Sequence, residues 1–349
     1  MNRRQFVTAA MASPFAVVGP ARGRTPIYIA DMHFHLFFFG RAPASTQPLA
    51  RNMAAGQATL VSWSLVGDVP WLQPIGRGFK QRGTPKPGEA LTWFSDEMRR
   101  VQAHITQQKL KIARTAEDID RALAGEPHVV LSVEGATFAD DDLSQLTVAY
   151  DQGVRHVQLV HFVNNAIGDH QTAAPVHKGL TDYGRKVILE CNRLGILVDL
   201  AHCTSAVVRQ ALTVSKAPMI WSHSSVNPAG AANWQIPGWR ARQLAIDDAQ
   251  AIAAAGGVVG LWALGADVGQ SPEAYAGRII ELVERLGEDH IGFGTDMNAL
   301  ASPALTNFAD LRRVVSILEG RNLPEARIRK LAIENYARVL RLAFQAREA

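Results

Sequence analysis

The chain is expected to fold as one α/β unit, a (β/α)8 TIM barrel. Three observations in its 349 residues carry that expectation. Eight short apolar runs alternate with stretches of helical pattern, the rhythm of a parallel sheet. The runs are nearly continuously hydrophobic rather than alternating, as in strands covered on both faces. Imidazoles and carboxylates gather where the runs end, and residues so distant in sequence share a site only if the fold brings strand ends together.

The expected strands are 27–31, 58–66, 128–134, 154–161, 195–202, 218–224, 257–264 and 290–296. Between them, helices are expected over 95–113, 116–124, 140–152, 182–194, 204–214, 246–255 and 272–287. Thr115-Ala-Glu-Asp and Ser271-Pro-Glu-Ala read as helix N-caps, the second with Pro at the first helical position. Two more helical segments follow residue 308, ending in an amphipathic stretch over 323–345. The segments 67–94 and 225–245, rich in Gly, Pro, Trp and Arg, read as long loops over the active face. A doubly wound open sheet is the competing architecture. It would carry a Gly-rich phosphate loop after its first strand, whereas here that strand ends in HFHLFFFG.

Composition narrows the function classes. Apolar residues make up 47% and charged residues 19%, which suits a globular protein with a large core. A net charge of +4, scattered rather than in runs, calls for neither nucleic acid nor an anionic membrane as partner. Cys191 and Cys203 are the two cysteines and form no disulfide framework. Arg3-Arg4 ahead of Phe6 and an apolar, small-residue stretch from Val7 to Val18 resemble a twin-arginine export signal. Residues 1–24 are therefore expected to be a leader, cleaved after Ala21, and 25–349 a periplasmic catalytic domain. No later apolar run is long enough to span a bilayer, so an integral membrane protein is not expected.

The strand ends supply the chemistry. His33 and His35 are two apart on a strand, so both imidazoles point one way and can grip one ion. Asp31, on the same face, either orients a ligand or sits in the barrel interior. Glu134 ends an apolar run, where a carboxylate is costly unless paired or bound to metal, and it could bridge two ions. His202 and His223, ending the fifth and sixth strands, are a second nitrogen pair, while Asp199 faces elsewhere and reads as structural. Asp296 could take a proton from water and hand it to a leaving amine. His161 could donate to a developing oxyanion or simply line the wall, and Arg240 and Arg242 are candidates to clamp a substrate carboxylate. No nucleophile elbow, P-loop, HExxH or CxxC pair competes with metal-assisted hydrolysis.

These residues, in this order, resemble the membrane (renal) dipeptidase family of zinc peptidases, in the amidohydrolase superfamily. The stretches SVEG, LVHFVNNAIGD, GLTDYGRKVILECNRLGILVDLAH, WSHSS, GGVVGL, IGFGTD and ENYARVL carry the likeness. The resemblance implies a barrel holding two zinc ions bridged by Glu134, with His202 and His223 on one and His33 on the other. It implies His161 near the scissile carbonyl, Arg242 toward the substrate carboxylate and Asp296 as the proton-transfer group. It also suggests a homodimer.

Two departures stand out. The family's first motif is HxD, whereas this chain has His35, and its last motif continues to a second Asp where this chain has Asn298, a substrate-facing position. Imidazole in place of a carboxylate ligand leaves the site one charge more positive. The expected activity is hydrolysis of a dipeptide or small amino-acid amide, with one or two Zn2+ per chain. The same site would serve an amidase, deacylase or lactonase. A periplasmic binding protein that lost turnover through His35 is the non-enzymatic alternative.

Overall fold

Runs such as Ala58–Val66 and His128–Glu134 are buried at every residue, which only a strand covered on both faces achieves. In the computed structural model, which describes residues 26–36, 48–76, 78–140, 142–227, 235–236 and 238–347, eight parallel strands follow one another in sequence order. They are β1 (Ile29–Phe34), β2 (Ala58–Val66), β3 (His128–Glu134), β4 (Val154–Gln158), β5 (Leu197–Asp199), β6 (Ile220–Trp221), β7 (Val258–Leu261) and β8 (Ile291–Phe293). The ring closes just beyond β8: Asp296 N donates to His33 O at 2.9 Å, and His35 N to Met297 O at 3.2 Å. The barrel, not the open sheet, is the architecture. The export signal expected over 1–24 lies outside the described residues, among which no helix is long and apolar enough to cross a membrane.

Helices cover the outside of the ring, and their ends follow local chemistry. Thr115 and Asp118 form a capping box on Ala116–Leu123, and Ser271 caps Pro272–Leu286. Inside, Ala30, Met32, Leu60, Val130, Leu197, Ile220 and Val258 pack on Ile333, Tyr336, Ala337 and Leu340 of the C-terminal helical segment. That segment packs on the barrel interior below the rim that carries His161, His202 and His223, with Tyr336 reaching the interior His156. It runs Glu325–Arg329, through a π turn at Lys330–Glu334, into Asn335–Gln345.

The differences from the sequence reading have local causes. The helix expected over 95–113 is Glu89–Gln108: Gly88 at φ 79° lets it start early, and Lys109 turns left-handed and ends it. Lys111–Ile112 then pairs with β3 as a ninth strand. The segment read as an irregular loop after β2 contains an antiparallel hairpin, Leu72–Ile75 with Gly78–Gln81. Leu49–Gly56 is a helix the sequence reading missed; it carries no side-chain N-cap and no acid in its first turn.

One glycine decides how closely two rim loops approach. A Cβ on Gly67 would lie 2.2 Å from Gly135 O, while Gly67 N donates to Glu134 O at 2.8 Å. The obstructing atom is backbone and cannot swing away. Gly67→Ala is expected to destabilise the fold by about 1–3 kcal/mol, read as a lowered denaturation midpoint at unchanged slope; an unshifted midpoint would refute the tight contact.

Candidate metal centre

His33 and Glu134 stand at the ends of β1 and β3, and the other functional side chains stand on the turns that follow their strands. His161 lies three residues past β4, His202 three past β5 and His223 two past β6. His202 (φ 69°), Asp296 (φ 55°) and Asn298 (φ 71°) are left-handed, a conformation costing roughly 1–3 kcal/mol for a residue with a side chain. Asp and Asn tolerate it best; His202 does so at a site-forming turn.

The imidazoles converge on one carboxylate. Glu134 Oε1 lies 3.2 Å from His202 Nε2 and 3.5 Å from the Nε2 atoms of His33, His161 and His223. Its Oε2 is 3.6 Å from His35 Nε2. His33 Nε2 and His35 Nε2 are 3.1 Å apart, so the two-residue spacing does aim both rings at one point. Asp296 Oδ1 stands 3.3 Å from His35 Nε2 and 4.0 Å from His33 Nε2. Every one of these residues is buried.

The outer ring nitrogens of His33, His35 and His223 are tethered. His35 Nδ1 donates to Ser64 O at 2.9 Å, which leaves its Nε2 lone pair facing inward. His33 Nδ1 meets Ser64 Oγ at 3.1 Å and Ser222 Oγ at 3.3 Å, and His223 Nδ1 meets Ser222 Oγ at 2.9 Å. Asp199 Oδ1 accepts from Ser222 N at 3.0 Å, and Asp199 Oδ2 pairs with the interior His156, which makes it structural as read from the sequence.

Burial is the largest influence on the His33, His202 and His223 imidazoles and holds them below their ordinary range, hence neutral, and the Arg242 charge pushes His202 and His223 the same way. His35 is raised: burial opposes its charge, but the Asp296 hydrogen bond and Glu134 outweigh it. Burial alone would raise the Glu134 carboxyl, yet His161, His33 and His202 hold it well below the carboxylate range. Where the His33, His202 and His223 rings are neutral, a cation among them would supply the positive charge that the Glu134 carboxylate otherwise lacks. Glu134 Oε2 and both ring nitrogens of His202 are buried without a hydrogen-bond partner. The donor sets His33, His35, Glu134 and Glu134, His202, His223 each gather within 4.8 Å. Two imidazoles and a carboxylate suit zinc and its neighbours. The residues fit a metal.

The other expectations divide. Arg242 Nη2 donates to His223 Nε2 at 2.8 Å, so its guanidinium reaches the site; burial lowers it only to about 10, and it stays charged. That contact uses the lone pair an ion at His223 would need, so ion binding there requires the guanidinium to withdraw. Arg240 is instead exposed over the Trp239 ring, which corrects its candidacy as a clamp. Asn298 Nδ2 donates to His35 O at 2.6 Å and pins the β1 end. Asp31 accepts from His33 N, Thr295 N and Thr295 Oγ1, tying β1 to β8 from the interior; burial pushes its carboxyl up to about 7. Sequence reasoning missed Ser64, Ser222, Asp68 and His170. Asp68 Oδ1 accepts from His161 Nδ1 at 2.6 Å, and His170, buried with its Nε2 unpartnered, is held down to about 4 by desolvation.

Residues 50–349 match the model of the membrane dipeptidase family, peptidase family M19. The chain belongs to the membrane dipeptidase family. The match begins after β1, so His33 and His35 lie outside it. Among curated relatives of this family member, dipeptidase tcpJ of Claviceps purpurea is 28% identical over 255 residues, 70% of this chain and 58% of that protein. Dipeptidase verJ of Clonostachys rogersoniana is 28% identical over 239 residues, 66% and 60% of the two chains. The chain thus spans less than two thirds of the length of either relative. Among solved structures, a metallopeptidase from Rhodobacter sphaeroides liganded with a phosphinate mimic of L-Ala-D-Ala superposes with TM-score 0.74 at 20% identity, over 91% of this chain and 99% of that one. The probable dipeptidase PvdM from Pseudomonas aeruginosa superposes with TM-score 0.74 at 18% identity, over 92% and 96%. These likenesses establish the fold: this membrane dipeptidase family chain is a TIM barrel.

Proposed function

We propose that this protein is a zinc-dependent hydrolase that cleaves the amide bond of dipeptides. The observation that carries the reading is the set of imidazole Nε2 atoms 3.2–3.6 Å from the Glu134 carboxylate, four of them beside Oε1. His33, His35 and Glu134 would hold one ion, and Glu134, His202 and His223 a second. A bound divalent cation supplies Lewis acidity, which polarises a carbonyl and acidifies water.

The remaining work falls to side chains. Asp296 borders the ion pocket and takes a proton from the attacking water as the C–O bond forms. It returns that proton to the amine nitrogen as the C–N bond breaks, so one water is added across the amide. His161, with Nε2 turned toward Glu134, faces the carbonyl oxygen as charge builds on it. Arg242, the one buried arginine of its loop, clamps the substrate carboxylate through paired hydrogen bonds. Asn298 holds the turn carrying Asp296 against β1. The Arg3-Arg4 leader pattern supports export to the periplasm.

Dialysis against a chelator is expected to abolish dipeptide hydrolysis, and zinc to restore it. Hydrolysis indifferent to chelation would refute metal dependence. Turnover of N-acyl amino acids or lactones in place of dipeptides would keep the centre and overturn the substrate.

A further inference from the structure

We propose that Asp68 is the positioning residue for His161, fixing the ring and its Nδ1 proton so that Nε2 faces the reacting amide beside Glu134. Asp68 is fully buried two residues beyond β2. Its Oδ1 accepts from His161 Nδ1 at 2.6 Å, and its Oδ2 accepts from the backbone amides of Phe162 and Val163, each at 3.0 Å. A single turn, His161–Val163, therefore supplies all three donors, and neither carboxylate oxygen is left bare. An ionised carboxylate only accepts, so the ring nitrogen facing it carries a proton. The two amides stop the carboxylate from rotating, and the carboxylate stops the ring.

The rest of the surroundings confirm that the ring has one place to be. A Cβ on Gly135, which has φ +87°, would come within 3.0 Å of His161 Cβ, so only glycine lets the ring backbone settle there. The His202 and Phe162 rings lie edge-on at 4.5 and 4.4 Å. The other ring nitrogen, Nε2, is then 3.5 Å from Glu134 Oε1, on the side where the ligand nitrogens meet. Asp68 and His161 come from different rim loops, so the bond also fixes those loops to each other.

The kinetic consequence rests on the dipeptidase reading; the hydrogen bond rests on geometry alone. Asp68→Asn separates positioning from mere stapling. The Phe162 and Val163 amides keep the carboxamide oxygen, so its NH2 turns to Nδ1, which must then accept. The shape survives, but the ring loses the Nδ1–H bond and the negative charge that favour a doubly protonated ring donating from Nε2 to the oxyanion. In the zinc-loaded protein, kcat on a dipeptide is expected to fall about 100-fold, with KM changed by less than about threefold. In histidine-15N-labelled protein, a far-downfield, exchange-protected ring N–H proton is expected in the wild type. It should be absent from Asp68→Asn and from His161→Gln.

An Asp68→Asn enzyme that keeps wild-type kcat overturns the proposal, as does a wild-type spectrum without the downfield proton. If the wild type hydrolyses no dipeptide, the proposed function fails, and the resonance alone then decides the Asp68 assignment. If Asp68→Asn does not fold, the wild-type and His161→Gln spectra still decide it.

Discussion

Glu134→Gln is expected to strip the protein of metal and to end hydrolysis with it. The carboxylate lies 3.2–3.5 Å from the Nε2 atoms of His33, His161, His202 and His223 through one oxygen and 3.6 Å from that of His35 through the other. It is the only group common to both three-residue donor sets that hold His35 or His202. The amide keeps the shape but removes the negative charge and places an NH2 among nitrogens meant to face a cation. Losing one partner from a buried charged set costs about 3–5 kcal/mol, or about 10²–10⁴ in affinity. Elemental analysis and dipeptide kinetics on the same preparation check it. A variant that retains wild-type metal would show that Glu134 bridges nothing.

Asp296→Asn is expected to leave metal in place and lower kcat by about 10²–10⁴, the range for losing a proton-transfer group. Asn accepts the left-handed backbone that Asp296 adopts at φ 55°, so the turn is preserved and the proton acceptor alone is lost. Asp296 Oδ1 also groups with His33 and His223 at ligand distance. The measurement therefore discriminates: an intact metal count with collapsed kcat assigns the proton step, whereas a reduced count makes Asp296 a ligand. Unchanged kcat would remove it from the mechanism.

How far the sequence led depends on what kind of constraint each feature obeys. The eight strands were legible because burial on both faces forces continuous apolar runs, and β2 and β3 match their expected bounds, 58–66 and 128–134. His33 and His35 were legible because strand alternation dictates direction, and Glu134, His202 and His223 because polar groups ending apolar runs are costly without a purpose. Asp68 was not: its value comes from His161, 93 residues away, and nothing near it in sequence announces that partner. Ser64 and Ser222 look like ordinary small strand residues until their hydroxyls meet the His33 ring. Arg240 and Arg242 were indistinguishable in sequence; a short 3-10 turn over Gly238–Arg242 buries the second and exposes the first. The left-handed turns at His202 and Asp296 belong to non-glycine residues and leave no compositional trace.

Joint coordination is tested most directly by anomalous diffraction at the zinc edge from crystals of the full chain grown with zinc. A peak is expected among His33, His35 and Glu134, and a second among Glu134, His202 and His223. A map without an anomalous peak in that space, the imidazoles turned to separate surroundings, would contradict it.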